Sequence, residues 1–274
     1  MDEEFMAAIA AAGLEPAKPL ELIEGKLERF RVQGDKAGSR NGWAVLHLHP
    51  VPVGAFGSWK TGEQHTWKAI SNEAMTPAQR AELQRSMQAA QEARSAEEAR
   101  VRAHAAARAL KLWDGAKPAT NDHPYLVAKG VPAYGLRVLR DQIMVPARDA
   151  DGRLHTLQFI APDGGKRFLT GGRIAGCYFA IGRPDDALLL AEGYATGATL
   201  YQATGKAVAV CFNCGNLLPV ARALRAKFPR LRFVICADND SGTPGNPGLT
   251  AARAAAKAVG ACVAFPTFSD LTDG

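Results

Sequence analysis

Beyond Asp186 the chain alternates short apolar runs with helix-length stretches, four times over. The runs are 187–191, 207–211, 231–237 and 261–265. Each is five to seven residues long, strand length rather than helix length. Between them lie helical patterns at 194–204 (ended by Gly205), 218–228 and 248–259 (ended by Gly260). Strands that alternate with helices specify an α/β fold: a mainly parallel four-stranded sheet with flanking helices.

In an open parallel sheet, ligands bind at the carboxyl ends of the strands. Three carboxylates stand there. Glu192 directly follows the run Ala187-Leu188-Leu189-Leu190-Ala191, and Asp238-Asn239-Asp240 follows the run ending at Ala237. Acidic groups gathered at one edge repel one another unless a cation sits between them. Oxygen-only ligands suit a hard ion such as Mg²⁺, so the first inference is a Mg²⁺ site working on phosphate. Alternate residues of an extended segment point to opposite faces. Asp238 and Asp240 therefore share one ion only if the chain turns between them, and Asn239 with Ser241-Gly242 offers turn chemistry. The competing reading for any one of these acids is a helix N-cap or first-turn acid.

The remaining sequence bounds the rest. The formal charge is +6, a mild bias toward polyanionic partners. Five irregularly spaced cysteines argue against a disulfide framework and for a reducing cytoplasm. No apolar run approaches the ~20 residues that span a bilayer. Residues 1–76 read as a small N-terminal accessory domain: one or two short helices, broken near Gly13 and Pro16-Pro19, then a mostly-β zone punctuated by Gly34, Gly38, Gly42 and Gly54. Residues 77–120 read as a long, Ala-rich connecting helix and linker, with Thr76 as N-cap and Pro77 at its first position. Residues 121–185 read as an α+β subdomain, with a strand at 143–146, a turn at 149–152 and a returning strand at 154–160. Residues 186–274 form the parallel domain.

Two further features have ordinary explanations. Cys211-x-x-Cys214 has no second pair, so it reads as a packed thiol and no zinc is expected. His47-Leu48-His49 puts two rings on one strand face, a structural arrangement. Asn213 and Asn216, at the same carboxyl edge, read as caps of the helix at 218, with nucleotide contact as the alternative.

Glu192-Gly193 and Asp238-x-Asp240, each at a strand end, resemble a Toprim domain, the fold of bacterial-type DNA primases, type IA and II topoisomerases and some nucleases. Ile143-Met144-Val145-Pro146-Ala147-Arg148-Asp149, Asp151-Gly152-Arg153 and Lys166-Arg167-Phe168-Leu169-Thr170-Gly171-Gly172 resemble the N-terminal half of the catalytic core of bacterial replicative primases. His123-Pro124-Tyr125-Leu126 is similar to its helical opening. The likeness covers about residues 121–274 and is nearest to plasmid and phage primases.

The resemblance implies a DNA primase that makes short RNA primers on single-stranded DNA by Mg²⁺- or Mn²⁺-dependent nucleotidyl transfer. Its partners would be template, ribonucleoside triphosphates and a replicative helicase. Asp238 and Asp240 would be metal ligands. Glu192 would be a ligand or a general acid/base. Arg148, Lys166, Arg167 and Arg173 would grip phosphates or template, with Arg167 replacing the family's lysine beside the active site. Apart from the resemblance, Trp43, Trp59 and Trp67, with Arg40, Lys60 and Lys68, offer a stacking platform for single-stranded DNA, the competing reading being that the tryptophans fill a small core.

The chain departs from the family at Thr196, where primases carry a second Asp, and in stopping after Pro266–274, before a further acidic pair. These departures imply a truncated chain and keep two alternatives open: a Toprim nuclease, or a catalytically weak DNA-binding or regulatory module. A topoisomerase would need a tyrosine nucleophile in a separate large domain, which nothing here supplies.

Overall fold

The computed structural model describes residues 2–49, 51–69, 75–240 and 242–266. Ser241 and the stretch beyond Pro266, where the expected acidic lead-in falls, lie outside them. The chain divides into two units, residues 1–96 and 97–274.

The first unit is a helix on a sheet. Helix α1 (Asp2–Ala11) precedes an antiparallel meander of β1 (Glu28–Phe30), β2 (Gly42–His47), β3 (Val53–Ser58) and β4 (Gln64–Lys68). No second helix forms after Gly13: Pro16 bridges Val32 as extended chain instead, as a proline with no N–H and a fixed φ favours. Phe5 and Ile9 of α1 pack on Ala44, Leu46 and Phe56 of the sheet. Gly54 lets α1 close down, since a Cβ there would sit 2.3 Å from the Phe5 ring.

Helix α2 (Pro77–Asp114) contributes Leu83 to the first unit and Ala105 and Ala109 to the second. Alanine suits that second role, because a short side chain lets the helix lie close to Leu157, Phe159 and Leu169.

The second unit contains two sheets. One joins β5 (Lys117–Pro118), β6 (Arg137–Leu139), β7 (Gln142–Arg148), β8 (Leu154–Ile160) and β9 (Lys166–Phe168), all antiparallel, with the short helix α3 (Pro124–Lys129) beside it. The other contains β10 (Phe179–Ile181), β11 (Ala187–Ala191), β12 (Ala207–Val210), β13 (Arg232–Cys236) and β14 (Cys262–Ala264), in the order β10-β12-β11-β13-β14. Four of its strands are parallel, as expected. The fifth, β10, adds an antiparallel edge against β12. Helices α4 (Tyr194–Thr204), α5 (Leu217–Lys227) and α6 (Pro247–Val259) make the crossovers.

Burial on both faces explains the unbroken apolar runs. Leu189, Ala191, Val208 and Val210 face α4 and the first sheet. Leu188, Leu190, Ala209, Phe233 and Ile235 face α5 and α6. Because β7 and β8 share a core with β11 and β12, the hairpin leading to β9 is held against the parallel sheet. Leu190 is fully buried, and truncating it to Ala would cost about 2–5 kcal/mol. The Tyr194 hydroxyl adds a polar clip, donating to Pro132 O at 2.6 Å and accepting from Tyr134 N at 2.8 Å.

Candidate active site at the carboxyl edge of the parallel sheet

Strands β11 and β13 are direct parallel neighbours, with Ala191 paired to Cys236. The residues just past their ends therefore emerge side by side, which brings Glu192 to Asp238. Asp240 is returned to the same corner by the start of α6. A Cβ placed on Gly248 would lie 2.9 Å from Asp240 Oδ2, 3.1 Å from Glu192 Oε1 and 2.8 Å from the Asp238 carbonyl. The two carboxylate oxygens flank one point, and only a hydrogen fits there. Glycine at 248 is a condition of the site.

The proximity perturbs the carboxylates. Burial, then the charges of Asp238 and Asp240, push the Glu192 carboxyl up to about 7. Burial and Asp240 raise Asp238 as well, with Lys166 pulling the other way. Glu192 Oε1 is buried with no hydrogen-bond partner. Such an atom carries a full desolvation cost unless something binds it.

Glu192 is not a helix cap. Gly193, in extended backbone, occupies the N-cap of α4, and the helix has no acid in its first turn. Asp240 partly fits the ordinary reading, since its Oδ2 accepts from Gly248 N at 3.2 Å in the first turn of α6. Among the described residues no three His, Cys, Asp or Glu side chains already close on one point as metal ligands. The carboxylates approach without converging fully.

The basic residues separate. Lys166 opens β9 and reaches over the end of β11, its Nζ 3.8 Å from where a Gly193 Cβ would sit, and its charge acts on Asp238. Arg167, the next residue of the strand, points the other way. Its guanidinium lies 4.6 Å from the Phe159 ring centroid and donates to Gln142 Oε1 at 2.5 Å. The cation beside the carboxylates is thus Lys166, not Arg167 as the resemblance implied. Strand alternation is the reason. Arg148 donates to Gly152 O at 2.9 Å, bracing the 149–152 turn. Arg173 contacts Asp149 Oδ2 at 3.2 Å and His155 Nε2 at 2.8 Å. The partners of both lie in and beside that turn, not among the three carboxylates.

The tryptophans do not form one platform. Trp43 pairs with Gly57 across β2–β3, and Trp67 pairs with Gly54 across β3–β4. Gly54 and Gly57 are three residues apart, so the two rings occupy opposite faces. Trp67 packs 5.3 Å from Phe5, whereas Trp43 lies 5.7 Å from Trp59. Of the three, Trp59 is exposed at 56%, Trp43 is buried and Trp67 is partly buried. His47 and His49 line a cavity of about 510 Å³ with Val45, Trp67 and Leu83.

Asn213 caps the turn after β12, its Oδ1 accepting from Asn216 N at 3.0 Å. Asn216 is buried and ties Gly176 N, Cys177 O and Cys211 O together. Cys211 is buried with its Sγ toward Ala209 O, and burial raises its thiol strongly. Sequence reasoning missed Gly248 and Asn246. The signal for both was Asn246-Pro247, a helix N-cap followed by proline at the first helical position.

Residues 187–268 match the Toprim domain family. Over 283 aligned residues, 98% of this chain, the sequence is 38% identical to DNA primase TraC of Escherichia coli. A second Escherichia coli DNA primase TraC is 36% identical over 97% of this chain. The chain spans only about a quarter of the first relative's length, 26%, and 20% of the second's. Among solved structures, the DnaG primase catalytic domain bound to ssDNA superposes with a TM-score of 0.35 at 18% identity, covering 60% of this chain and 55% of that one; so loose a likeness adds nothing to the argument. Among the described residues no helix is long and apolar enough to cross a membrane.

Proposed function

We propose that the chain carries the catalytic core of a DNA primase, which makes short RNA primers on single-stranded DNA during plasmid or phage replication in the cytoplasm. The observation that carries this reading is the approach of Glu192 Oε1, Asp240 Oδ2 and the Asp238 carbonyl to one point beside Gly248, with the Glu192 oxygen buried and unpartnered. The similarity to proteins named DNA primase along nearly the whole chain supports it. In this reading residues 121–185 are the N-terminal subdomain of the core, 186–274 the Toprim domain, and 1–76 an accessory domain joined through 77–120.

Glu192, Asp238 and Asp240 are the residues that would hold Mg²⁺ or Mn²⁺. The donor set fits a hard cation: all oxygen, clustered, partly desolvated and in mutual repulsion. The bound ion would neutralise the triphosphate and the departing pyrophosphate. The chain's own groups do the rest. Glu192, titrating near neutrality, is a ligand or the base that takes the proton from the primer 3′-hydroxyl, a role that favours a pKa near the working pH. Lys166 meets the negative oxygens of the incoming nucleotide. Template DNA is the first partner, and a replicative helicase a further one.

The test is a synthesis assay with labelled ribonucleotides, single-stranded template and Mg²⁺ or Mn²⁺. Labelled oligoribonucleotides that disappear in Asp238→Ala support the reading. Template degradation without synthesis would identify a Toprim nuclease. Neither activity, with DNA binding retained, would leave a DNA-binding module.

A further inference from the structure

Strand alternation alone would send Asp238 and Asp240 to opposite faces, yet both act on Glu192. Something must hold the chain in a turn there. Asn239 is one participant, but its side chain is itself held by a residue seven positions on.

Asn246 has φ 40° and ψ 70°, left-handed backbone for a residue that is not glycine. Asparagine tolerates that region better than most residues, and such outliers persist only where their surroundings over-determine them. Here the surroundings are hydrogen bonds. Asn246 Oδ1 accepts from Leu249 N at 3.3 Å, which caps α6, and from Asp240 N at 3.2 Å. Asn246 Nδ2 donates to Asn239 Oδ1 at 2.9 Å. Asn239 Nδ2 in turn donates to Pro266 O at 2.8 Å, beyond β14. One side chain therefore touches both residues that follow Asp238 and the helix whose first turn carries Gly248. Backbone bonds from Thr243 N to Asp240 O, 2.8 Å, and from Asn246 N to Thr243 O, 3.0 Å, close the intervening loop.

We infer that Asn246 is the positioning residue of the acidic corner. It fixes the Asp240 backbone against the start of α6, so that Gly248 N holds Asp240 Oδ2 and the carboxylate faces Glu192 rather than the far side of the strand. A plain helix cap would bond its own helix and nothing else. The bonds to Asn239 and Asp240 are what set this residue apart. The inference deepens the metal reading above and rests on it for one arm of its test.

The experiment compares the whole chain with Asn246→Gly and Asn246→Asp. Glycine keeps the left-handed backbone and removes the side chain. Amide exchange read by NMR should become about tenfold faster at Asp240 and Leu249, with β11 and β13 unchanged, the loss of roughly one hydrogen bond at each. Mn²⁺ affinity followed by EPR should weaken by about tenfold for the same reason. Asn246→Asp restores the acceptor oxygen and should restore protection at both amides. Unchanged protection at Asp240 in Asn246→Gly overturns the inference, and so does a loss spread evenly through α6 and β13. If the unaltered chain binds no Mn²⁺, the cation reading falls, while the exchange measurement still decides the role of Asn246.

Discussion

Two corners of the second unit hold part-buried charges and treat them in opposite ways. At the 149–155 turn, Asp149 Oδ1 accepts from Asp151 N and Arg153 N, and Oδ2 meets His155 and Arg173. Burial pushes that carboxyl up, but His155 and the backbone N–H groups outweigh it and hold it below the usual value. At the carboxyl edge of the parallel sheet, Glu192 has neighbours of its own sign and no hydrogen-bond partner for its buried oxygen. In the first corner both oxygens of Asp149 are partnered, so that carboxylate serves the fold, although Arg173 Nε there is buried without a partner. The second is incomplete, and a cluster left wanting a cation is where a ligand belongs.

The comparison breaks first on alanine substitutions. Asp238→Ala should cut primer synthesis on the order of 10² to 10³-fold, the scale of losing one charge-stabilising group, without lowering the melting temperature, because repulsion is relieved. Asp149→Ala should do the reverse: a loss of roughly 2–3 kcal/mol in urea unfolding, since His155, Arg173 and two N–H groups lose their acceptor. Equal stability losses at both corners would erase the distinction.

Acid and base sharpen it. Folded Glu192 titrates at about 7 against an ordinary 4.5, so between those values the folded protein keeps a proton that the unfolded chain has shed. Stability without metal should therefore fall as pH rises from about 4.5 to about 7 and stay lowered above. Asp149, held below its ordinary value, contributes stability that is present above pH ~4 and lost as pH falls through its folded value. Glu192→Gln should flatten the neutral limb and gain about 1–2 kcal/mol at pH 8, a figure reduced for partial solvent screening. Mg²⁺ should raise the melting temperature more at pH 8 than at pH 5.

The smallest expected effects concern neighbours in sequence. Lys166→Ala should raise the KM for nucleotide about tenfold, the weight of one partly exposed charge contact. Arg167→Ala should leave KM unchanged and cost about 1 kcal/mol of stability through its lost ring and amide contacts. Steady-state kinetics beside thermal melts separates the two.

Much of the second unit was legible because its signals are local and redundant. An apolar run buried on both faces, followed by a helix ending at Gly205 or Gly260, leaves little freedom in where elements begin. The adjacency of β11 and β13 was not legible this way: β12 lies between them in sequence but pairs on the far side of β11, and that order is what brings Glu192 to Asp238. The missed features depend on longer-range facts. The edge strand β10 is three residues long and takes its direction from pairing with β12. The parting of Trp43 from Trp67 depends on hairpin register, which a list of aromatic positions does not encode. The choice of Lys166 over Arg167 needs the orientation of β9 as well as its existence. Asn246 stands before a proline, a capping signal that went unread, and its bonds to residues 239 and 240 appear only when the loop is folded.

The five residues between β8 and β9 set which strand face meets the carboxylates, with Ala161 N bonded to Gly165 O and Gly164 at φ 90°. Lengthening or shortening that connection by one would exchange the outward and inward neighbours while leaving overall charge untouched. A compact ammonium would give way to a planar, forked guanidinium able to grasp two oxygens at once. Loop length here is a selector for the geometry of anion contact, adjustable without altering a single side chain.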